Sequence, residues 1–226
     1  MPQVIFSLAV FFGTHIALAE NPLRGLLTRA LGERLFLWAY GALAILQLLW
    51  IGWALDAAPK AILWQPPAWT AFVPLLVMPV ALLLLVCGFT QNNPTATMAP
   101  ARAARRRVTG VLAITRHPVM WGLGLWSLAH LAAVGDAAQA LRFAVFAFLA
   151  LAFLPRIEAR QRAKWGEAAW HDFSARSSSL PFLALAQGRA RLNWREIGWA
   201  RIAVAAAIYA ALLAGVHRKI AGVAIW

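Results

Sequence analysis

Six stretches of this chain are nearly unbroken apolar runs: residues 3–19, 35–55, 69–89, 119–134, 137–155 and 199–216. A membrane-spanning helix needs about 20 mostly apolar residues, within a range of about 17–25. The pattern therefore predicts an all-α fold, a polytopic membrane helix bundle of about six transmembrane helices. Only Gly135 and Asp136 part the fourth run from the fifth, which predicts a tight helical hairpin. Pro74 and Pro79 predict a kink in the third helix. Two long polar segments separate the runs. Residues 90–118 hold Gln91-Asn92-Asn93-Pro94 and an arginine cluster. Residues 156–198 mix bases with Trp165, Trp170, Phe173 and Trp194, as in an amphipathic cytoplasmic segment lying against a membrane. No repeat and no separate soluble stretch intervenes, so 1–226 reads as a single integral membrane domain. Ala17-Leu18-Ala19 resembles a signal cleavage site, but residues 1–10 carry no Lys or Arg, so the first run is expected to remain as a helix.

Composition agrees with lipid as the solvent. The 226 residues are 62% hydrophobic, well above the roughly 45–50% of soluble domains. Lys and Arg number 21 against 8 Asp and Glu, a net charge of +13. In a soluble chain that excess would suggest nucleic acid. Here no soluble segment interleaves bases and aromatics as a nucleic-acid module does, so no nucleic acid is expected and the partners are membrane lipids. With six spans, seventeen Lys and Arg fall on one side and four on the other. The positive-inside rule then puts both termini on the non-cytoplasmic side. The 12 Trp suit interfacial belts, and the lone Cys87 excludes an internal disulfide.

Chemistry concentrates in a few polar residues. His15 lies inside the first run; Arg116 and His117 open the fourth and His130 lies near its end. Glu158 follows the fifth run, and His217 ends the sixth. Ionisable groups within a membrane are functional candidates by default. His15 and His130 each suit either an interhelical hydrogen bond or a metal ligand. His117 and His130 are thirteen residues apart, about 140° round one helix, so they cannot serve the same metal. Trp126 and His130 are spaced i,i+4 and stack on one side. The opposed run of the first and fourth spans offsets His15 from His130 in depth by ~11 Å, and from His117 by about 8 Å. Gly122 and Gly124 allow close approach of a backbone or a flat ligand. Arg116 suits a propionate or phosphate, or snorkels to the interface. No His-x-x-x-His spacing, Gly-rich phosphate loop or Ser/His/Asp arrangement is present, so zinc chemistry and nucleotide hydrolysis have no support.

Phe12-Gly13-Thr14-His15, Asn92-Asn93-Pro94, and Ile114-Thr115-Arg116-His117-Pro118 followed by Trp121-Gly122, Trp126 and Leu128-Ala129-His130 together resemble the NnrU family of bacterial membrane proteins. The plant zeta-carotene isomerase is similar to that family. The resemblance implies a multi-pass protein of the bacterial inner membrane that binds haem b, with His15 and His130 as its metal ligands. Arg116, His117 and Trp126 would be near the cofactor. It also implies a haem-dependent cis–trans isomerase acting on a hydrophobic small molecule such as a polyene or isoprenoid, or a link to nitrite and nitric oxide respiration. Arg116-His117-Pro118 also looks like the membrane methyltransferases of isoprenylcysteine and phospholipids. That outline continues through Glu158 and residues 165–173, although Met120, Trp170 and Phe173 replace the family's tyrosines. It implies S-adenosylmethionine as an alternative cofactor. A third expectation is a non-enzymatic accessory factor within a membrane protein complex.

Overall fold

The computed structural model describes residues 1–19, 23–91, 93–95 and 107–222. Asn92 and the arginines 102, 105 and 106 lie outside them. Among the described residues there is no strand, only an isolated bridge between Ile62 and Asp136. Four helical stretches are long and apolar enough to cross a membrane: Glu33–Asp56, Ala68–Thr90, Ala137–Trp165 and Trp199–Ala221. A bent pair, Pro2–Leu18 with Leu23–Leu31, makes a fifth if counted as one span. The expected count of six is thus not reached. The shortfall is the run at 119–134, which forms a helix of only 16 residues, Pro118–Ala133. At 1.5 Å per residue that is about 24 Å, short of a hydrocarbon core of about 30 Å.

The chain divides into two compact units. The first comprises Met1–Pro66 and Val134–Val145. It contains α1 (Pro2–Ala19), α2 (Leu23–Leu31) and α3 (Glu33–Asp56). A polar link joins α1 to α3, where the Gln47 amide donates to Thr14 Oγ1 at 3.0 Å. Trp38, Leu46 and Leu49 on α3 are exposed. Apolar side chains on the outside of a helix this hydrophobic are compatible with contact to lipid. The 135–136 break is built as a cap: Asp136 Oδ1 accepts the N–H groups of Ala138 and Gln139, and Oδ2 accepts that of Ala61. Gly135 is required there, because a Cβ would sit 2.0 Å from the Trp64 carbonyl oxygen.

The second unit comprises Pro67–Ala133 and Phe146–Trp226. It contains α4 (Phe72–Thr90), α5 (Pro118–Ala133), α7 (Leu154–Trp165), α8 (Glu167–Ala175), α9 (Leu183–Ala186), α10 (Trp194–Ile197), α11 (Trp199–Ala211) and α12 (His217–Ala221). Helix α6 (Ala137–Ala152) contributes residues to both units. Pro74 falls in the first turn of α4, where a missing N–H costs little, so Pro79 alone interrupts that helix. Helices α4 and α5 pack at glycines: a Cβ on Gly122 would meet Leu85 Cγ at 2.7 Å and the Ala81 carbonyl at 3.0 Å. A Cβ on Gly124 would meet Leu151 at 2.7 Å. Both glycines therefore serve helix packing rather than a flat ligand. Leu84, Cys87, Val111, Ile114 and Ile197 form the adjoining core.

Candidate functional site

Residues 114–117 enter α5 as a short, wholly buried connection, held by hydrogen bonds to other segments of the chain. Asn93 Oδ1 accepts the N–H of Thr95, a local turn that leaves the Thr95 hydroxyl to donate to the Arg116 carbonyl. Thr115 Oγ1 donates to the Ser179 carbonyl at 2.9 Å and accepts the His117 N–H at 3.2 Å. The Arg116 N–H donates to the Ser178 carbonyl at 2.8 Å, and its guanidinium to that of Ser177 at 2.9 Å. The Trp121 indole N–H adds a 2.7 Å bond to the Ser179 carbonyl. Pro118 then occupies the first helical position, where no donor is needed.

The polar centre is a cluster of three side chains. His117, 1% exposed, shares a 2.9 Å hydrogen bond between Nε2 and Glu158 Oε1. Arg116 Nη1 lies 3.6 Å from the same oxygen, and its guanidinium lies over the rings of Trp170 and Phe173. A carboxylate oxygen only accepts, so Nε2 of His117 carries the proton. Burial holds the His117 pKa below the ordinary imidazole value, and the Glu158 hydrogen bond offsets that in part. Burial also lowers Arg116; Glu158 opposes this, and the positive charge of Arg189 adds to it. Arg189 in turn donates to the carbonyls of Ser174, Ala175 and Ser177. Glu158, a quarter exposed, lines an open groove with Pro155, Ala159, Arg162, Glu167 and Trp170.

The two intramembrane histidines differ from His117 in the nitrogen they commit. His15 Nδ1 lies 2.9 Å from the carbonyl of Phe11, and His130 Nδ1 lies 2.8 Å from that of Trp126. A carbonyl cannot donate, so each ring carries a proton on Nδ1. The His15 ring packs on Phe11 and Tyr40. The expected Trp126–His130 pair is present at 5.7 Å between ring centroids, and Phe146 stacks on Trp126 at 5.9 Å. His15 belongs to the first unit; Arg116, His117, Trp126 and His130 belong to the second. Among the described residues, no three His, Cys, Asp or Glu side chains converge on one metal position.

The sequence groups Glu158 with Arg116 and His117 only through the methyltransferase resemblance, and it does not pair His217 with His130. It missed Arg189 and the carbonyls of residues 174–179 altogether. The run Arg176-Ser177-Ser178-Ser179 was the available signal, since small polar residues let a main chain be approached closely.

A family model described as NnrU protein matches residues 3–225. No curated protein and no solved structure matches the chain.

Proposed function

The chain belongs to the NnrU family, and from that premise we propose that it is a membrane protein that binds haem b through His15 and His130. The observation that carries this reading is the matched hydrogen bonding of the two rings, each with Nδ1–H donated to the carbonyl four residues earlier. A metal-bound histidine typically gives its other N–H to a carbonyl or carboxylate, which fixes the tautomer and raises the basicity of the ligating nitrogen. Porphyrin supplies four nitrogens itself, so one or two protein donors suffice for haem, and a cluster of three is not required. Bound haem would supply one-electron chemistry or a Lewis-acidic iron. A role on a hydrophobic small molecule, as in isomerisation of a polyene or isoprenoid, or in nitrite and nitric oxide respiration, belongs to the same proposal. His117 takes no part as an iron ligand through Nε2, which Glu158 holds. Arg116 and His117 would instead orient a propionate or substrate at the mouth of α5.

The test is the absorption spectrum of the purified protein supplied with haem. A Soret band that disappears in a His15→Ala, His130→Ala double variant supports the reading. No band, or a band unchanged in that variant, ends it.

The groove at Glu158 favours a second reading, an S-adenosylmethionine-dependent lipid or isoprenoid methyltransferase. A carboxylate beside the Trp170 face suits a cationic cofactor. Calorimetry with S-adenosylmethionine decides it, and absence of binding heat removes it.

A further inference from the structure

We propose that the second unit holds an anionic phospholipid by its phosphate, in a pocket where α4 ends and α11 begins. The proposal is independent of the haem reading. Thr90, Gln91, Arg107, Thr109, Glu196 and Arg201 line an open pocket of about 510 Å³, and all of them belong to that unit. Its walls are fixed by hydrogen bonds. The Gln91 amide donates to the Glu196 carbonyl at 3.0 Å, and Glu196 Oε2 accepts the Gly110 N–H at 3.2 Å. Gly110 has φ 58°, and a Cβ there would come 2.6 Å from Gln91 Nε2 and 3.0 Å from the Glu196 carbonyl. Only glycine lets the 109–113 turn close down on residues 91 and 196 in this way.

Charge favours an anion. The lining carries two arginines against one glutamate. Arg201 donates from Nε to Thr90 Oγ1 at 3.0 Å, from Nη1 to the Ile197 carbonyl and from Nη2 to the Thr90 carbonyl. That uses three of its five N–H donors and leaves its charge in place. Among the described residues, neither Arg107 nor Arg201 forms an ion pair. Two guanidinium groups beside the Thr109 hydroxyl suit a phosphate, which accepts charge-assisted bonds from both.

Depth favours a lipid as the source of that phosphate. Ala68–Thr90 and Trp199–Ala221 are both long and apolar enough to cross a membrane. Arg201 ties the end of the first to the start of the second, so the pocket lies where hydrocarbon gives way to headgroups. Basic pockets between membrane helices at this level bind anionic headgroups. Phe89 and Trp199, next in sequence to the two helix ends, are exposed apolar surface for acyl chains. A free phosphate ion would use neither.

The full-length protein in detergent is titrated with phosphatidylglycerol and, separately, with phosphatidylcholine, and bound lipid is counted by native mass spectrometry. Phosphatidylglycerol is expected to bind in preference, and Arg107→Gln to weaken it by roughly 5-fold, the effect of one interfacial arginine. Arg107 is exposed, so its replacement leaves the fold intact. Arg218→Gln removes an equal charge at the far end of the α11–α12 stretch and is expected to leave the affinity as it was. The proposal is overturned if Arg107→Gln binds as the native protein does, if Arg218→Gln loses as much, or if the two lipids bind equally. Inorganic phosphate added as competitor is expected to leave the lipid bound. Displacement of the lipid by phosphate would assign the pocket to a soluble anion and end the lipid reading.

Discussion

At His117, the burial that strips water from the ring also decides which of its forms is stable. In the folded protein the pKa is held low, chiefly by burial, whereas in an unfolded chain it returns to about 6.5. Below that pH the unfolded state binds a proton that the folded state resists, so unfolding is favoured as acid is added. The stability contributed by neutral His117 is therefore fully present above about pH 6.5 and is lost as pH falls toward the folded pKa. Thermal unfolding in detergent between about pH 8 and pH 5 should show this decline, and His117→Gln should flatten it. A profile identical in both proteins would assign the acid sensitivity elsewhere. Glu158→Gln acts differently: it removes the charge opposite Arg116 while the guanidinium stays buried. Breaking a buried pair in this way costs about 3–5 kcal/mol, and the partial exposure of Glu158 reduces that to roughly 2–3 kcal/mol. Chemical unfolding of Glu158→Gln and of the Arg116→Met, Glu158→Gln pair measures it; the double variant should recover part of the loss. Arg116 and His117 were legible in sequence because charge beside an apolar run is conspicuous. Their partners were not, because the carbonyls of Ser177, Ser178 and Ser179 are main-chain groups, and main-chain acceptors leave no mark on residue type.

Glycines distinguish the helices that pack from those that face lipid. Gly88 and Gly122 sit where α4 and α5 approach: a Cβ on Gly88 would come 2.9 Å from the Val119 nitrogen, and one on Gly122 would meet the Ala81 carbonyl at 3.0 Å. Gly52 on α3 has nothing within 4 Å of its Cβ position. Gly122→Ala should therefore destabilise by about 1–3 kcal/mol, since backbone atoms must move. Gly52→Ala should be neutral or stabilise by up to about 1 kcal/mol from helix propensity. Unfolding midpoints of the two variants, measured side by side, check the contrast, and equal midpoints would refute it. The apolar runs made α3 and α4 readable to within three residues at each end, and α11 at its start but not at its end. They could not reveal the π-helical turn Leu212–Val216 before His217, because no composition rule marks a one-residue widening of a helix. Nor could they show that α7 carries on beyond α6 with Arg156, Arg160 and Lys164 aboard. The helix persists there by backbone hydrogen bonding, where hydrophobicity has already ended.

The whole molecule's topology turns on α5. Its 16 residues are flanked by the buried Arg116–His117–Glu158 cluster at one end and Asp136 at the other, so length argues against a full crossing. The charge asymmetry argues for one: seventeen bases collect on one side only if the run at 119–134 counts as a span. The local bilayer can thin, or the flanking residues can snorkel, at fractions of a kcal/mol per Å of mismatch. A deficit of about 6 Å thus costs only a few kcal/mol, less than moving several arginines to the wrong face. The balance favours crossing. Lys60 and Lys164 are both exposed and bracket α4, α5 and α6. Three crossings put them on opposite sides of the membrane; two put them on the same side. The native chain is a clean background, because Cys87 is its sole cysteine and is wholly buried. Lys60→Cys should react with a membrane-impermeant maleimide from one face of sealed vesicles and Lys164→Cys only from the other. Labelling of both from the same face would take α5 out of the membrane and with it the predicted sidedness of His130.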